Sequence, residues 1–196
     1  MASPLPIVLV ALPIASLAQA ANDQGKPIDT QRSALVIHVG KAGLFSAVAH
    51  EHWVTAPIAS GTVNDAGATS SVRFVVDAAT LRVRVDENLN AKDLTEVQSN
   101  MQNKVLESAK YPHIVFESTR IQGVGADAWR VYGNLTLHGA TRPVTVDVKH
   151  ENIAYVGMIR VKQTDFGIQP IRIAGGVVKV KNELEIRFQV FTKVGL

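Results

Sequence analysis

The chain has 196 residues, no cysteine and a formal net charge of +3. A chain of this length can bury one sizeable core without disulfides. Its 20 basic and 17 acidic residues are scattered, without the Lys/Arg run that would follow a phosphate backbone, so the composition argues against nucleic acid as a partner.

The N-terminus predicts export. Residues 4–20 are almost wholly apolar and end in Ala18-Gln19-Ala20, the small-x-small pattern that precedes signal-peptidase cleavage. We therefore expect a signal peptide at residues 1–20, a mobile lead-in at residues 21–32, and a periplasmic or secreted domain at residues 33–196. The alternative is a membrane anchor, but the run is shorter than the roughly 20 residues needed to span a bilayer, so we expect no stable membrane span after cleavage.

Short segments with a two-residue alternation of apolar side chains follow, which is typical of strands with one apolar face. Leu35, Ile37 and Val39 share a face, and residues 81–85 alternate aliphatic residues with Arg. Similar segments occur at residues 44–54, 60–63, 72–77, 114–121, 129–138, 144–148, 155–162, 177–181 and 184–190.

One segment has helical spacing instead. Apolar residues at Leu94, Val97, Met101 and Val105 predict a helix over Leu94–Glu107. Asp93 and Glu96 are spaced as a capping box at its start.

These elements predict an all-β fold, an antiparallel lipocalin-like β-barrel of about eight strands with one α-helix. A two-sheet sandwich is the alternative. The barrel is favoured because closing the sheet buries every inward face and removes exposed edges.

Three motifs resemble those of a known family. They are Tyr111-Pro112 with Ile114, Phe116, Glu117 and Ser118; Gly133–Val144, which reads GNLTLHGATRPV; and Thr164–Ile168, which reads TDFGI. Together they are similar to the signatures of the YceI-like family of periplasmic, polyisoprenoid-binding proteins. The resemblance covers roughly residues 33–190 and implies a barrel whose lumen holds an isoprenoid or another extended apolar chain, with no shared catalytic apparatus.

The sequence departs from the commoner family pattern in two places. The helical segment reads MQNKVL at residues 101–106, and Thr164 stands where Arg is usual. The first departure concerns the shape of the barrel mouth, and the second concerns a contact with the ligand's head group.

Alternation and the motifs together predict the residues that face the lumen. The expected ligand is a polyisoprenoid, an isoprenoid quinone or a fatty acyl chain. A filled core is the alternative, because an eight-stranded barrel can either be packed by side chains or hold one small ligand. The predicted lumen residues are Val83, Val85, Ile114, Phe116, Val131, Leu135, Leu137, Ile159, Phe166, Ile186 and Phe188.

Two histidines give a second hypothesis from a different class. His50 and His52 would share one face of a strand, where both could reach a divalent metal, with His113 or His138 as a third ligand. No HExxH motif is present, so solvated histidines at the barrel rim, or a contact with a ligand head group, are the favoured interpretations. We therefore predict no metal and no cofactor.

The sequence contains no motif that predicts catalysis. Cysteine, a Gly-x-Ser-x-Gly elbow and a phosphate-binding Gly loop are all absent, so a binding protein rather than an enzyme is expected. The run from Asn134 to Gly139 is interpreted as a structural turn. The oligomeric state is left open, with a homodimer among the alternatives.

Overall fold

The computed structural model describes residues 25–42, 52–65, 67–85, 90–173 and 178–193. Within them, one antiparallel sheet contains twelve strands, numbered β1 to β12 in chain order. The strands are β1 Lys26–Pro27, β2 Ala34–Ala42, β3 His52–Pro57, β4 Ser60–Asn64, β5 Ser71–Asp77, β6 Arg82–Val83, β7 His113–Gly125, β8 Ala128–Leu137, β9 Ala140–Glu151, β10 Ala154–Lys162, β11 Arg172–Ile173 and β12 Val178–Val190. No helix in these ranges is long and apolar enough to cross a membrane.

The strand pairings form a ring because β3 continues around a bend into β4, and β5 continues around a bend into β6. Strand β3 pairs with β2 and β6, and β4, which follows after Ile58 and Ala59, pairs with β5. Further pairs lead from β5 through β7, β8, β9, β10 and β12 back to β2. When β3 with β4, and β5 with β6, are each counted as one bent strand, the ring has eight members. The predicted antiparallel barrel of about eight strands is therefore confirmed.

The two-residue period decides which side chains form the core. On β8, Val131, Leu135 and Leu137 are buried, whereas Arg130 and Asn134 on the same strand are exposed. Successive side chains of a strand point to opposite faces of the sheet. On each ring strand, every second residue therefore points into the barrel, and the apolar residues at these positions form its inner wall.

Residues 25–32, expected to belong to a mobile lead-in, instead cross one end of the barrel. Strand β1 pairs with β4, and Ile28 forms a bridge with Thr192 just beyond β12. Ile28 is 2% exposed, so one apolar side chain in a polar stretch holds this segment in place. The prediction was wrong for these residues, while residues 21–24 lie outside the described ranges. We call residues 25–28 the N-terminal strap.

The predicted helix is present but begins earlier than expected. Helix α1 spans Ala91–Asn100 and continues as a π-helical turn at Met101–Val105. Asn90 caps it: the Asn90 side-chain oxygen accepts from the N–H of Asp93, and its amide donates to the Asp93 carboxylate. Asn is among the best N-cap residues, so the predicted capping by Asp93 and Glu96 was wrong.

Two glutamine side chains hold the helical segment against the corner between β5 and β6. The Gln98 amide donates to the carbonyl of Leu81 at 2.9 Å and accepts from the N–H of Val83 at 2.8 Å. Gln102 donates to the carbonyls of Ala78 and Leu81. The Gln98 side chain thus gives the short strand β6 backbone hydrogen bonds that a neighbouring strand would otherwise supply.

We expect Gln98→Ala to lower the free energy of unfolding by about 1–3 kcal/mol, because it leaves the partly buried N–H of Val83 without its partner and removes one of the donors to the Leu81 carbonyl. Urea denaturation followed by circular dichroism measures this change. Glu96→Ala, at an exposed position on the same helix, is the matched control and should have a much smaller effect. Equal stability of the two variants would show that the Gln98 bonds do not hold the helix.

The turn between β8 and β9 accounts for the motif around His138. His138 and Gly139 both have positive φ, 51° and 74°, as a type I′ hairpin turn requires. The His138 ring lies 2.7 Å from the Glu107 carboxylate and 3.3 Å from the Phe166 carbonyl. A Cβ on Gly139 would lie 2.6 Å from the Tyr111 ring. These contacts support the interpretation of this motif as part of the fold.

Candidate functional site

A cavity of about 350 Å³ occupies the interior of the barrel. All eight members of the strand ring contribute side chains to its wall, and the helical segment adds Val97, Met101 and Val105. The volume lies near the lower end of the range of about 300–1,000 Å³ that is typical of ligand pockets. The interior is therefore hollow, and the filled-core alternative is not supported.

Nine of the eleven residues predicted to face the lumen line this cavity. They are Val83, Ile114, Phe116, Val131, Leu135, Leu137, Ile159, Ile186 and Phe188.

Val85 and Phe166 do not line the cavity. Val85 is 82% exposed, because β6 ends at Val83 and the alternation that continues in the sequence has no strand to support it. Phe166 is 2% exposed, but it packs from the 3-10 turn Gln163–Phe166 and is not part of the cavity wall. The lumen prediction was wrong for these two residues.

Several wall residues were not predicted. Trp129 and Tyr155 line the cavity, and both could have been found by extending the alternation from Val131 and Ile159. Ala56 also lines it, but a small side chain gives little signal of its own. The apolar stripe of the helix was recognised in the sequence, whereas its position over the lumen follows only from the tertiary fold.

The cavity wall is almost entirely apolar. Within the described ranges, Asp65 is its one carboxylate and no Lys or Arg contributes to it. A wall of this composition favours hydrocarbon, because an unpaired charge inside it would lose its hydration without compensation. The polar wall residues are His52, Asn64, Asp65, Ser70, Asn100, Tyr155 and Gln163.

Two phenylalanine rings in the wall lie directly over glycines on neighbouring strands. A Cβ built on Gly133 would come within 2.6 Å of the Phe116 ring, and one on Gly157 within 2.4 Å of the Phe188 ring. Any larger residue at either position would push the ring away from its place. The two glycines therefore determine where these rings lie, and so shape the apolar wall.

Polar wall residues gather at the end of the barrel that the N-terminal strap crosses. Asn64, Asp65, Ser70 and Tyr155 form this group, which we call the tyrosine mouth. The Lys26 ammonium from the strap lies 2.7 Å from the Asp65 carboxylate.

The ionisable groups of the tyrosine mouth influence one another. A hydrogen bond from Lys26 holds the pKa of the Asp65 carboxyl below its usual value, and the same bond raises the pKa of Lys26. Burial, followed by the nearby Asp65 charge, raises the pKa of the Tyr155 hydroxyl. At neutral pH the mouth therefore contains a neutral phenol beside a compensated ion pair.

We expect the Asp65 carboxyl to titrate below its ordinary pKa of about 3.9, which NMR of the carboxyl carbon can measure. Because the folded-state pKa is lowered, the ion pair stabilises the strap at neutral pH and is lost as the pH falls through that pKa. Lys26→Met should move the Asp65 titration upward. Asp147, whose pKa is lowered by Arg130, is the internal control and should not move. An unchanged Asp65 titration in the variant would contradict the pairing.

The opposite end of the cavity is covered by the helical segment. Val97, Met101, Val105 and Leu106 contribute apolar side chains there. Gln163 is 3% exposed, and its amide already donates to the carbonyl of Lys181 at 2.8 Å. This end therefore presents mainly hydrocarbon to the lumen.

The histidines considered as metal ligands have different surroundings. His52 lines the cavity, whereas His113 pairs with Asp77 at 3.1 Å and His138 with Glu107 at 2.7 Å. Among the described residues, no group of three or more His, Cys, Asp or Glu side chains could hold a metal ion. His50 lies outside the described ranges, so the alternative hypothesis of a metal site that includes it is not tested by the structure.

Comparison with known proteins identifies the family to which the domain belongs. Residues 27–191 match the model of the YceI-like domain. A UPF0312 protein of Vibrio parahaemolyticus is 29% identical over 128 residues, which are 60% of this chain and 63% of that protein. A UPF0312 protein of Yersinia pestis is 38% identical over 71 residues, which are 35% of this chain and 36% of that protein. The chain thus spans less than two thirds of the length of these relatives.

Two solved structures have a similar fold. BcnA of Burkholderia cenocepacia aligns with a TM-score of 0.57 at 20% identity, over 85% of this chain and 99% of that one. A polyisoprenoid-binding domain of Saccharophagus degradans, implicated in plant cell wall breakdown, aligns with a TM-score of 0.58 at 15% identity, over 88% of this chain and 99% of that one.

Proposed function

Because this chain belongs to the YceI-like family, we propose that it binds a long apolar molecule in its barrel, such as a polyisoprenoid, an isoprenoid quinone or a fatty acyl chain. The observation that carries the proposal is the hollow interior with an almost wholly apolar wall. The similar fold of the polyisoprenoid-binding domain from Saccharophagus degradans supports it. The role is binding, and by extension carriage or storage, without a chemical step.

The expected affinity comes from the ligand's hydrocarbon. Each methylene removed from water contributes about 0.8 kcal/mol, so one five-carbon isoprene unit contributes about 4 kcal/mol before ordering costs. A few buried units therefore give useful binding without a charged anchor. The absence of Lys and Arg from the described cavity wall is consistent with this mode of binding.

Organic-solvent extraction of the purified protein, followed by mass spectrometry, tests the proposal directly. We expect an apolar lipid at a stoichiometry near one per chain. Protein that has been delipidated should then take up added polyprenyl or acyl chains. The proposal fails if no lipid is recovered and the delipidated protein also binds none of the added chains.

We further propose that the protein acts outside the cytoplasm, in the periplasm or as a secreted protein. The support is the apolar N-terminal run with its Ala18-Gln19-Ala20 site. Expression of the full chain in a bacterium, fractionation and N-terminal sequencing test this. We expect mature protein that begins at Ala21, and an uncleaved chain in the cytoplasm would contradict export.

A further inference from the structure

The two ends of the cavity differ in the side chains that could form a hydrogen bond with a ligand's head group. Outside the tyrosine mouth, the polar wall residues are His52, Asn100 and Gln163, and the Gln163 amide already donates to the carbonyl of Lys181. At the tyrosine mouth, the Tyr155 hydroxyl has no hydrogen-bond partner within the described part of the chain, although the residue is half-buried. A half-buried hydroxyl gains a hydrogen bond when a ligand oxygen is placed against it.

The charge at the tyrosine mouth is balanced. Among the described residues, Asp65 is the only carboxylate on the cavity wall, and Lys26 neutralises it at 2.7 Å. A phosphate or carboxylate brought here would meet one carboxylate directly and a cation already engaged in an ion pair. The repulsion and the desolvation of the ligand's charge would both oppose binding.

Two aromatic rings lie beside the Tyr155 ring. The Tyr155 ring lies 6.0 Å from the Trp129 ring and 4.9 Å from the His150 ring, measured between centroids. Such rings present apolar surface around a polar tip, a combination that suits the boundary between a hydrocarbon chain and its head group.

We propose that the tyrosine mouth receives an uncharged, hydrogen-bonding head group, such as a prenol hydroxyl or a quinone carbonyl, with Tyr155 donating to its oxygen. The hydrocarbon tail then runs toward the helical end, and anionic head groups are disfavoured. This inference rests on the proposed function and adds to it the class of ligand and its direction in the barrel.

Three probes with the same hydrocarbon chain test the inference: farnesol, farnesyl diphosphate and the hydrocarbon farnesene. Their affinities for the delipidated full-length protein are measured by displacement of the neutral dye N-phenylnaphthylamine. We expect farnesol to bind most tightly. Farnesyl diphosphate should bind about tenfold or more weakly than farnesol, because its charges would lose hydration and meet the Asp65 carboxylate.

Two variants of the tyrosine mouth sharpen the test. Tyr155→Phe keeps the ring and removes the donor, so it should weaken farnesol about threefold to tenfold and leave farnesene unchanged. Asp65→Asn removes the carboxylate and frees Lys26, so it should strengthen farnesyl diphosphate. Tyr132→Phe is the matched control, because Tyr132 lies outside the cavity wall against Arg120, and it should change none of the three affinities.

The results separate this inference from the proposed function. Binding of none of the three probes would overturn both. If farnesol binds the wild-type and the Tyr155→Phe protein with the same affinity, and no more tightly than farnesene does, only the head-group assignment is overturned. Tighter binding of farnesyl diphosphate than of farnesol by the wild-type protein would overturn the preference for an uncharged head group.

Discussion

The Ala56→Phe variant is expected to bind farnesol at least about a hundredfold more weakly than the wild-type protein. Ala56 lies on the cavity wall and is 3% exposed, so a phenyl ring at this position projects into a space of about 350 Å³. If the ring displaces about four ligand carbons, at about 0.8 kcal/mol each, the loss is about 3 kcal/mol, which is roughly a hundredfold. Dye displacement measures the affinity.

The neighbouring position provides the control for Ala56→Phe. Thr55 lies on the same strand, is absent from the cavity wall and belongs to the opposite face, so Thr55→Phe should bind farnesol as the wild-type protein does. Thermal unfolding must accompany the measurement, because overpacking a core costs about 1–3 kcal/mol. A folded Ala56→Phe protein with unchanged farnesol affinity would show that the ligand does not occupy this cavity.

The second large effect is expected at Gly157. Gly157→Val should lower the free energy of unfolding by about 3 kcal/mol, at the upper end of the usual cost of overpacking. The new Cβ would lie 2.4 Å from the Phe188 ring and 2.7 Å from the backbone carbonyl of Asp147. Urea denaturation measures the change. Gly123→Val is the matched control, because a Cβ at that strand position meets nothing within 4 Å.

A second substitution identifies the cause of the Gly157 effect. Phe188→Leu removes the part of the ring that a valine at position 157 would strike. The double variant should therefore be more stable than the sum of the two single effects implies, which is a favourable coupling in a double-mutant cycle. Strict additivity would locate the strain in the Asp147 backbone instead of the ring.

The hairpin of β7 and β8 was largely predictable, because its chemistry is local. Ile114 and Phe116 alternate on β7, and Val131, Leu135 and Leu137 alternate on β8; all five line the cavity. A strand that is buried on one face leaves this signal directly in the sequence. Local alternation also misled, however. Val85 continues the pattern of β6 beyond the point at which pairing stops, and no local signal marks that point.

Contacts between distant residues could not be predicted. Lys26 and Asp65 meet because β1 pairs with β4, and Tyr155 joins them from a different part of the ring. Ile28 is one apolar residue in a polar stretch, and its burial depends on a bridge to Thr192 near the other end of the chain. In the sequence, nothing distinguishes these residues from their neighbours, because their roles depend on contacts with residues far away in the chain.

The strand faces and the presence of one helix follow from the sequence pattern, because period-two and helical patterns are imposed by the backbone geometry of each element. The barrel was favoured over a sandwich only by adding the advantage of a closed sheet and the resemblance of three motifs to a known family. Other features appear only in the folded chain: the interior is hollow, the helical segment covers one end, and an ion pair and a half-buried tyrosine lie at the other. Those features depend on how the volumes and charges of distant side chains combine once the ring closes. A linear pattern records which face a residue takes, but not which residues it meets there.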